Sequence, residues 1–232
     1  MFPLGFDALM DELDRLPPGD AVFDLDGTLI AGDIGETAMK WAAARGPLPA
    51  AARALLGEGD PMPAYDALDP VTQCVVAVQA LAGLDEADIA RIVDHAFDEG
   101  HVTARAEVCA LAHAVALRHR VWVLTGSSEL LGVACARRLG LLPTGRNMVP
   151  GTPGARAGVL GVRAEMVDGR ITARILEPVS CSEGKVAVCK AAFAERPVFA
   201  IGDSAWDCHV LGYARVGRTT GRGAAKDFPA FA

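Results

Sequence analysis

The stretch that decides the fold reads AVFDLDGT, residues 21–28. Its first residues form a continuous apolar run, which is typical of a parallel strand covered on both faces. Asp24 and Asp26 lie at the expected carboxyl end of that strand. Open α/β sheets build their sites at the carboxyl ends of parallel strands, so the segment predicts both a fold class and a place for chemistry. A polar turn with a helix-capping Asp is the alternative that this segment alone leaves open.

Two later segments repeat the pattern of an apolar run that ends in small or polar residues. The three predicted strands cover residues 21–25, 121–124 and 198–201. Thr125 and Gly126 follow the second strand, and Asp203 and Asp207 follow the third. Because the ends of parallel strands meet at one edge of a sheet, we expect these residues to lie near the two carboxylates that follow the first strand.

The stretch between the first two strands is far longer than the dozen or so residues that a crossover helix needs. The spacing of its apolar residues predicts helices over residues 37–45, 49–56, 71–82, 86–97 and 104–118. Later in the chain, the sequence predicts helices over residues 129–139 and 184–195, and a hairpin over residues 161–175 that turns at Asp168-Gly169.

These elements predict an α/β fold with a Rossmann-like parallel-sheet core and an inserted helical cap domain. We expect residues 1–31 and 116–232 to form the catalytic core and residues 32–115 to form the helical cap. A length of 232 residues suits one core domain with a sizeable insertion.

Composition and charge exclude several classes of protein. The chain is 51% hydrophobic and 22% charged, which does not fit a disordered protein. Its net charge of -7 argues against a non-specific binder of nucleic acid or of anionic membranes. Charged residues interrupt its apolar runs well before the roughly 20 residues that a membrane-spanning helix needs. The N-terminal stretch is acidic where a signal peptide is basic, so we expect a cytoplasmic protein.

The six cysteines form no CxxC pair and no zinc-like spacing. The chain is neither small nor visibly secreted, so a disulfide framework is not expected. We interpret the cysteines as reduced thiols, most of them filling the core.

Four acidic residues point to a metal site: Asp24, Asp26, Asp203 and Asp207. Clustered like charges repel one another strongly in a low dielectric. A hard divalent cation is the simplest way to neutralise such a cluster, and Mg²⁺ prefers a few carboxylates together with water and substrate phosphate. For the two later residues the alternative interpretation is helix capping, with Ser204 or Asp203 as the cap.

Three further residues suit a phosphate group. Thr125 and Gly126 offer a hydroxyl and backbone N–H groups at an expected helix start. Lys185 offers a positive point charge at another helix start. A single lysine in such a position is usually a solvated surface residue, so the prediction depends on the whole set.

In these motifs the sequence resembles the haloacid dehalogenase superfamily. The four motifs of that family appear here in order as Asp24-Leu25-Asp26-Gly27-Thr28, Val123-Leu124-Thr125-Gly126, Lys185, and Gly202-Asp203-Ser204-Ala205-Trp206-Asp207. The long helical insertion is similar to the family's helical cap. The hairpin before Lys185 is similar to that of the phosphoserine phosphatase-like branch, although Gly27 stands where many phosphoserine phosphatases have Ser.

The resemblance implies a two-step phosphoryl transfer. Asp24 would be the nucleophile and form an aspartyl-phosphate. Asp26 would act as general acid and then as general base, and would offer its backbone carbonyl to Mg²⁺. Asp203 would bind the metal directly, and Asp207 would act through water or by orienting its neighbours. The dehalogenases of the superfamily typically lack a carboxylate at the second position, so Asp26 favours phosphate esters.

Asp33 and Glu36 allow two interpretations. Asp33 fits a helix N-cap, with Glu36 as its capping-box partner. Alternatively, both residues face the substrate and favour a cationic leaving group, because phosphoserine phosphatases place an acidic residue that contacts the substrate amine nearby. The stretch is also similar to that of phosphocholine phosphatase-like proteins. Trp41, Tyr65 and Trp206 are candidates for cation–π contacts, with packing as the alternative for each.

The leading hypothesis is a Mg²⁺-dependent phosphomonoesterase that acts on a small phosphorylated metabolite. Phosphoserine, phosphoethanolamine and phosphocholine are the amine-bearing candidates for that substrate. The alternatives are a phosphotransferase or mutase on the same fold, or a catalytically silent binding protein. Since silent relatives are expected to lose one of the catalytic or metal-binding carboxylates, and all are present here, the last alternative is the weakest.

Overall fold

The computed structural model describes residues 5–142, 146–221, 225 and 227–231. Its helices are α1 (Phe6–Asp14), α2 (Ile34–Ala43), α3 (Ala50–Leu56), α4 (Met62–Tyr65), α5 (Pro70–Gln79), α6 (Glu86–Asp98), α7 (Ala106–Val115), α8 (Glu129–Arg138), α9 (Glu183–Ala192) and α10 (Cys208–Tyr213), with a short 3₁₀ helix at Ala205–Asp207. Its strands are β1 (Asp20–Phe23), β2 (Ile30–Ala31), β3 (Thr103–Ala104), β4 (Arg120–Ser128), β5 (Ala157–Val167), β6 (Arg170–Leu176), β7 (Phe199–Gly202) and β8 (Val216–Thr219).

A six-stranded sheet forms the centre of the fold, in the order β6-β5-β4-β1-β7-β8. All of its pairings are parallel except that of β5 with β6, which is the antiparallel hairpin. The central strand β1 places Ala21 opposite Val121 of β4 and Phe199 of β7. The predicted α/β class with a Rossmann-like parallel sheet is confirmed.

The sheet also extends beyond the three strands that the sequence predicted. The first half of β5 runs parallel to β4 before the chain enters the hairpin, and β8 pairs with β7 at the opposite edge.

One local prediction at the second strand is wrong. Thr125 and Gly126 do not lie at a helix start, because β4 continues to Ser128 and α8 begins at Glu129. The extension is held by pairing with β5, where Ser128 lies opposite Val162 after a shift in register. The two residues therefore lie in extended backbone near the carboxyl end of β4.

The helical insertion leaves and re-enters the core through two short strands that pair with each other. Ile30 of β2 lies opposite Ala104 of β3, and Ala31 lies opposite Thr103. The helices α2–α6 lie between these strands, and α7 leads back to the sheet. This arrangement agrees with an insertion that starts near residue 32. The division into two domains stays a prediction.

The apolar interior connects the insertion with the core. One cluster belongs to the insertion alone and includes Met39, Tyr65 and Val76. The largest cluster, however, joins Ile89 and Ile92 of α6 to residues of the sheet and of α7 and α8. The helix α6 therefore packs on the core, while α3 and α4 pack within the insertion.

None of the helices in the described part of the chain is both long enough and apolar enough to cross a membrane.

Candidate active site

A cavity of about 410 Å³ lies at the carboxyl ends of β1, β4 and β7. On the core side it is lined by Asp24, Asp26 and Asp203. On the side of the insertion, α4 contributes Tyr65 and α5 contributes Cys74. The structure thus brings the motifs that follow three different strands to one cavity, which helices of the insertion line on the other side.

Lys185 holds two carboxylates at the centre of this site. Its Nζ donates hydrogen bonds to Oδ1 of Asp24 at 2.7 Å and to Oδ1 of Asp207 at 2.6 Å, and 3% of the residue is exposed. Burial alone would lower the pKa of this ammonium group, but the two carboxylates outweigh that effect and raise the pKa. Lys185 is therefore a fixed positive charge beside Asp24.

The Asp24 carboxylate lies in a buried and crowded position. Its backbone N–H continues the sheet by donating to the carbonyl of Ile201 at 2.9 Å. Burial first, and then repulsion from Asp207, raise the pKa of Asp24 well above its ordinary value, while Lys185 acts in the opposite direction. Lys185 therefore compensates only part of the cost of a negative charge at Asp24.

Three of the predicted metal ligands form a compact donor set. Asp24, Asp203 and Asp207 each offer a carboxylate oxygen, and these oxygens lie within 4.8 Å of one another. Burial and repulsion from Asp207 raise the pKa of Asp203 to about 6. Three hard oxygen donors beside one lysine leave negative charge uncompensated, and this is the environment that Mg²⁺ prefers. The residues present therefore fit a divalent cation.

Asp207 also organises the loop that follows β7. Its Oδ2 accepts hydrogen bonds from the backbone N–H of Asp203 at 3.2 Å, from that of Ser204 at 3.1 Å and from the Ser204 hydroxyl at 2.9 Å. Ser204 in turn caps the 3₁₀ helix, so the capping that the sequence suggested is present together with the carboxylate cluster. This loop geometry orients Asp207 towards Lys185.

Asp26, the fourth predicted metal ligand, is held by donors of its own. Its Oδ2 accepts from the hydroxyls of Ser127 at 2.8 Å and Thr125 at 3.1 Å, and its Oδ1 accepts from the backbone N–H of Ile34 at 2.8 Å. Burial raises the pKa of Asp26, and these three hydrogen bonds lower it. Its carboxylate is thus fixed between the end of β4 and the first turn of α2.

The predicted phosphate-binding pair divides into two environments. Gly126 lines the cavity together with Ser127, whereas Thr125 is fully buried and its hydroxyl contacts Asp26. Ser127 was not among the predicted site residues. Its only signal was a second hydroxyl residue, two positions beyond Thr125, which would share a strand face with it once β4 was known to continue.

Asp33 has both of the roles that the sequence left open, capping α2 and lining the cavity. The Glu36 side chain has neither role among the described contacts. Asp33 caps α2 by accepting from the backbone N–H of Glu36 at 2.7 Å, and it also lines the cavity. Burial and repulsion from Asp26 raise the pKa of Asp33 to about 8. Glu36 forms an exposed ion pair with Lys40 at 3.3 Å and does not belong to the described residues that line the cavity.

The three aromatic candidates differ in whether they line the cavity. Tyr65 and Trp206 line the cavity, with Tyr65 deeply buried at 6% exposure. Trp41 instead packs beside the large apolar cluster and lies under the guanidinium of Arg45, 3.6 Å from the ring centre. Two of the three rings are therefore placed where a substrate could touch them.

Gly27 and Arg105 shape the loop between Asp26 and the insertion. Gly27 has a φ of +75°, and a side chain there would collide with the carboxylate of Asp203. Arg105, next to β3 and 7% exposed, donates a hydrogen bond to the carbonyl of Gly27. Nothing in the sequence pattern singled out Arg105, since it lies far from every motif along the chain.

The comparison with protein families matches residues 21–211 to the haloacid dehalogenase-like hydrolase model. The match covers the sheet motifs and the whole helical insertion. No curated protein matches the chain in a sequence search.

Several solved structures share the fold at low sequence identity. A protein of unknown function from Bordetella pertussis Tohama I superposes with a TM-score of 0.58 at 20% identity, covering 88% of this chain and 89% of that one. A substrate-bound phosphoserine phosphatase gives 0.57 at 14% identity, covering 94% of each chain. A phospho-aspartyl intermediate analogue of phosphoserine phosphatase gives 0.52 at 15%, covering 88% and 86%.

Proposed function

Because the chain belongs to the haloacid dehalogenase-like hydrolase family, we propose that it is a Mg²⁺-dependent phosphomonoesterase that acts through an aspartyl-phosphate on Asp24. The observation that carries the proposal is the placement of the Asp24 carboxylate. It is hydrogen-bonded to Lys185 and lies within 4.8 Å of the Asp203 and Asp207 carboxylates. A carboxylate between a fixed cation and a metal-binding pair suits attack on a dianionic phosphate.

In the first step, Asp24 attacks phosphorus and the bond to the leaving oxygen breaks. Asp26 gives its proton to that oxygen, which departs as an alcohol. Asp26 is suited to this task because it lines the cavity and both of its oxygens are held by hydrogen bonds. Burial raises the pKa of Asp26, which favours a protonated acid in the free site.

In the second step, Asp26 takes a proton from water, and the resulting nucleophile releases inorganic phosphate from Asp24. Lys185 and the N–H of Gly126 would hold the phosphoryl oxygens while charge redistributes. A Mg²⁺ bound by Asp24, Asp203, Asp207 and the carbonyl of Asp26 would supply positive charge against the same oxygens. The helices over the cavity would exclude bulk water during the transfer.

We further propose that the substrate has an amine and no carboxylate. Asp33 places an acidic group in the cavity. Among the described residues that line the cavity, Lys185 is the single cation, and it already contacts Asp24 and Asp207. A substrate carboxylate would find no basic partner there, which favours phosphoethanolamine or phosphocholine over phosphoserine.

The test is a phosphatase assay with an aryl phosphate, with and without Mg²⁺, followed by a panel of phosphorylated metabolites. We expect Mg²⁺-dependent release of inorganic phosphate by the parent and none by Asp24→Asn. Transfer of the phosphoryl group to an added alcohol in preference to water would instead identify a phosphotransferase. A folded protein without activity on any ester would contradict the proposal.

A further inference from the structure

Two cysteines that the proposed chemistry does not use meet at the wall of the cavity. Cys74 lies on α5 of the insertion, and Cys181 lies in the core just before α9. Both residues line the cavity and belong to one small apolar cluster, in which their side chains interact with each other. Far apart in the sequence, they thus form a contact between the insertion and the core.

Further contacts fix the two thiols against the opposite element. The Cys181 thiol lies 3.5 Å from the carbonyl of Pro70, one helical turn before Cys74 on α5. The Cys74 sulfur lies over Gly126, so close that a side chain on Gly126 would come within 2.9 Å of it. The pair therefore sits beside the backbone proposed to bind phosphate.

The environment makes the two thiols chemically unequal. The neighbouring Cys74 thiol lowers the pKa of Cys181, and Lys185 acts in the same direction. The Cys181 side chain and burial raise the pKa of Cys74. A more acidic thiol beside a less acidic one is the arrangement in which one sulfur reacts with an oxidant and the other resolves the product.

We propose that Cys74 and Cys181 are an oxidisable pair, a modification site for small peroxides, and that their disulfide fastens α5 of the insertion to the core across the cavity. The Cys181 thiolate attacks one oxygen of hydrogen peroxide, which forms a sulfenic acid and, with one proton, water. The Cys74 thiol then attacks the Cys181 sulfur, forms the S–S bond and releases a second water. Two thiols are oxidised by two electrons, and the peroxide is reduced to two waters.

The disulfide would restrict the movement of the helices that cover the cavity, because it joins the two sides of the cavity wall. Only 5% of Cys74 and 1% of Cys181 is exposed. Because both residues line the cavity, a small oxidant reaches them through it. A covalent link between α5 and the segment before α9 holds the covering helices in place. The effect on turnover rests on the proposed function, since an enzyme whose cover must open for substrate would be inhibited by the link.

The experiment treats the full-length protein with hydrogen peroxide and measures three quantities: the linked peptides by mass spectrometry without reduction, the melting temperature, and the hydrolysis of an aryl phosphate. We expect a Cys74–Cys181 peptide and a rise in Tm of about 5 °C or more, because the link restrains the unfolded chain. We also expect at least a tenfold loss of hydrolysis, and dithiothreitol should reverse all three changes.

Three variants serve as controls, each compared with its own untreated sample. Cys74→Ser and Cys181→Ser should resist the reversible loss, whereas Cys109→Ser, which removes a thiol outside the cavity, should respond like the parent. Absence of the linked peptide, or a linked protein with unchanged Tm and hydrolysis, would overturn the proposal. If the untreated parent shows no hydrolysis at all, the phosphatase proposal fails, while the peptide and Tm still decide whether the pair forms.

Discussion

The Ser127 hydroxyl donates a 2.8 Å hydrogen bond to Oδ2 of Asp26, across the gap between the end of β4 and the loop after β1. The Thr125 hydroxyl reaches the same oxygen at 3.1 Å, and the N–H of Ile34 reaches the other at 2.8 Å. Asp26 is therefore oriented by the core and by the first turn of the insertion together. A residue proposed to move protons in both half-reactions needs such a fixed position.

Replacing Ser127 with Ala should slow hydrolysis of alkyl phosphates. The change removes one hydrogen bond to the charged form of Asp26, so the pKa of Asp26 should rise and its orientation should loosen. A hydrogen bond to a charged group is worth about 1.5–3 kcal/mol, which corresponds to roughly a ten- to hundredfold lower kcat. Aryl phosphates, whose leaving groups need less protonation, should lose less. The neighbouring variant Ser128→Ala is the control, and equal losses in both variants would contradict the role of Ser127.

Asp24→Asn should abolish turnover without unfolding the protein. An amide cannot attack phosphorus, and loss of a covalent nucleophile reduces kcat by about 10³-fold or more. Burial and Asp207 already raise the pKa of Asp24, so removing its charge relieves repulsion and should leave Tm unchanged or higher. Turnover by this variant close to that of the parent would remove Asp24 from the role of nucleophile.

Asp203→Ala should weaken the response to Mg²⁺. The variant removes one of three carboxylates whose oxygens lie within 4.8 Å of one another. We expect the Mg²⁺ concentration for half-maximal activity to rise on the order of 10- to 100-fold. Calorimetric titration of the ligand-free protein with Mg²⁺ gives a measurement that does not depend on turnover. Unchanged Mg²⁺ affinity in that titration would show that the ion binds elsewhere.

Asp33 should make substrate selectivity depend on pH. Its pKa is raised to about 8 by burial and by Asp26, so Asp33 is largely neutral at pH 6 and becomes charged as the pH rises past 8. The ratio of kcat/KM for phosphoethanolamine to that for glycerol phosphate should therefore increase with pH, by roughly tenfold or more in total. The ratio is compared at pH 7 and above, where the phosphate groups of both substrates are largely dianionic because their second pKa lies at about 6.

Two substitutions separate the charge of Asp33 from its capping. Asp33→Asn keeps an oxygen that can accept from the N–H of Glu36, so it should flatten the pH dependence of the ratio and preserve the cap. Asp33→Ala should flatten it and also lower stability by about 1 kcal/mol. A ratio that rises with pH in both variants would mean that Asp33 acts only as a cap.

Gly27→Ser should damage the metal site more than the fold. At a φ of +75° a side chain costs about 1–2 kcal/mol, and here it would also displace the Asp203 carboxylate. We expect a lower Tm together with a higher Mg²⁺ requirement. Gly57→Ser is the matched control, because Gly57 has a φ of +76° and open space around it, so only Tm should fall. Normal Mg²⁺ affinity in Gly27→Ser would contradict this interpretation.

The residues that the sequence predicted well are those whose position follows from strand ends alone. Asp24 and Asp203 come directly after two adjacent parallel strands, so their proximity follows from the order of the sheet. The contact of Lys185 with Asp24 needed the family motifs, because nothing in the local sequence around Lys185 distinguishes it from a solvated lysine.

The features that the sequence did not predict depend on long-range pairing. The continuation of β4 past Gly126 is imposed by β5, and it is this continuation that aims Ser127 at Asp26. The contact of Cys74 with Cys181 depends on how α5 docks on the core, which no spacing of residues encodes. Asp33 shows a different limit, because the sequence pattern does not reveal that one carboxylate can cap α2 and line the cavity at the same time.

The way α6 packs has a consequence for how this protein could have diverged. The paired strands β2 and β3 bring the two ends of the insertion side by side, a geometry in which a foreign segment could replace it without disturbing the sheet. The α6 residues Ile89 and Ile92, however, share one apolar cluster with the core, and Arg138 of α8 pairs with Asp94 and Asp98. Exchange of the whole insertion would expose an apolar face of the core, so we expect α3 and α4, which pack within the insertion, to vary, and α6 to be inherited with the sheet.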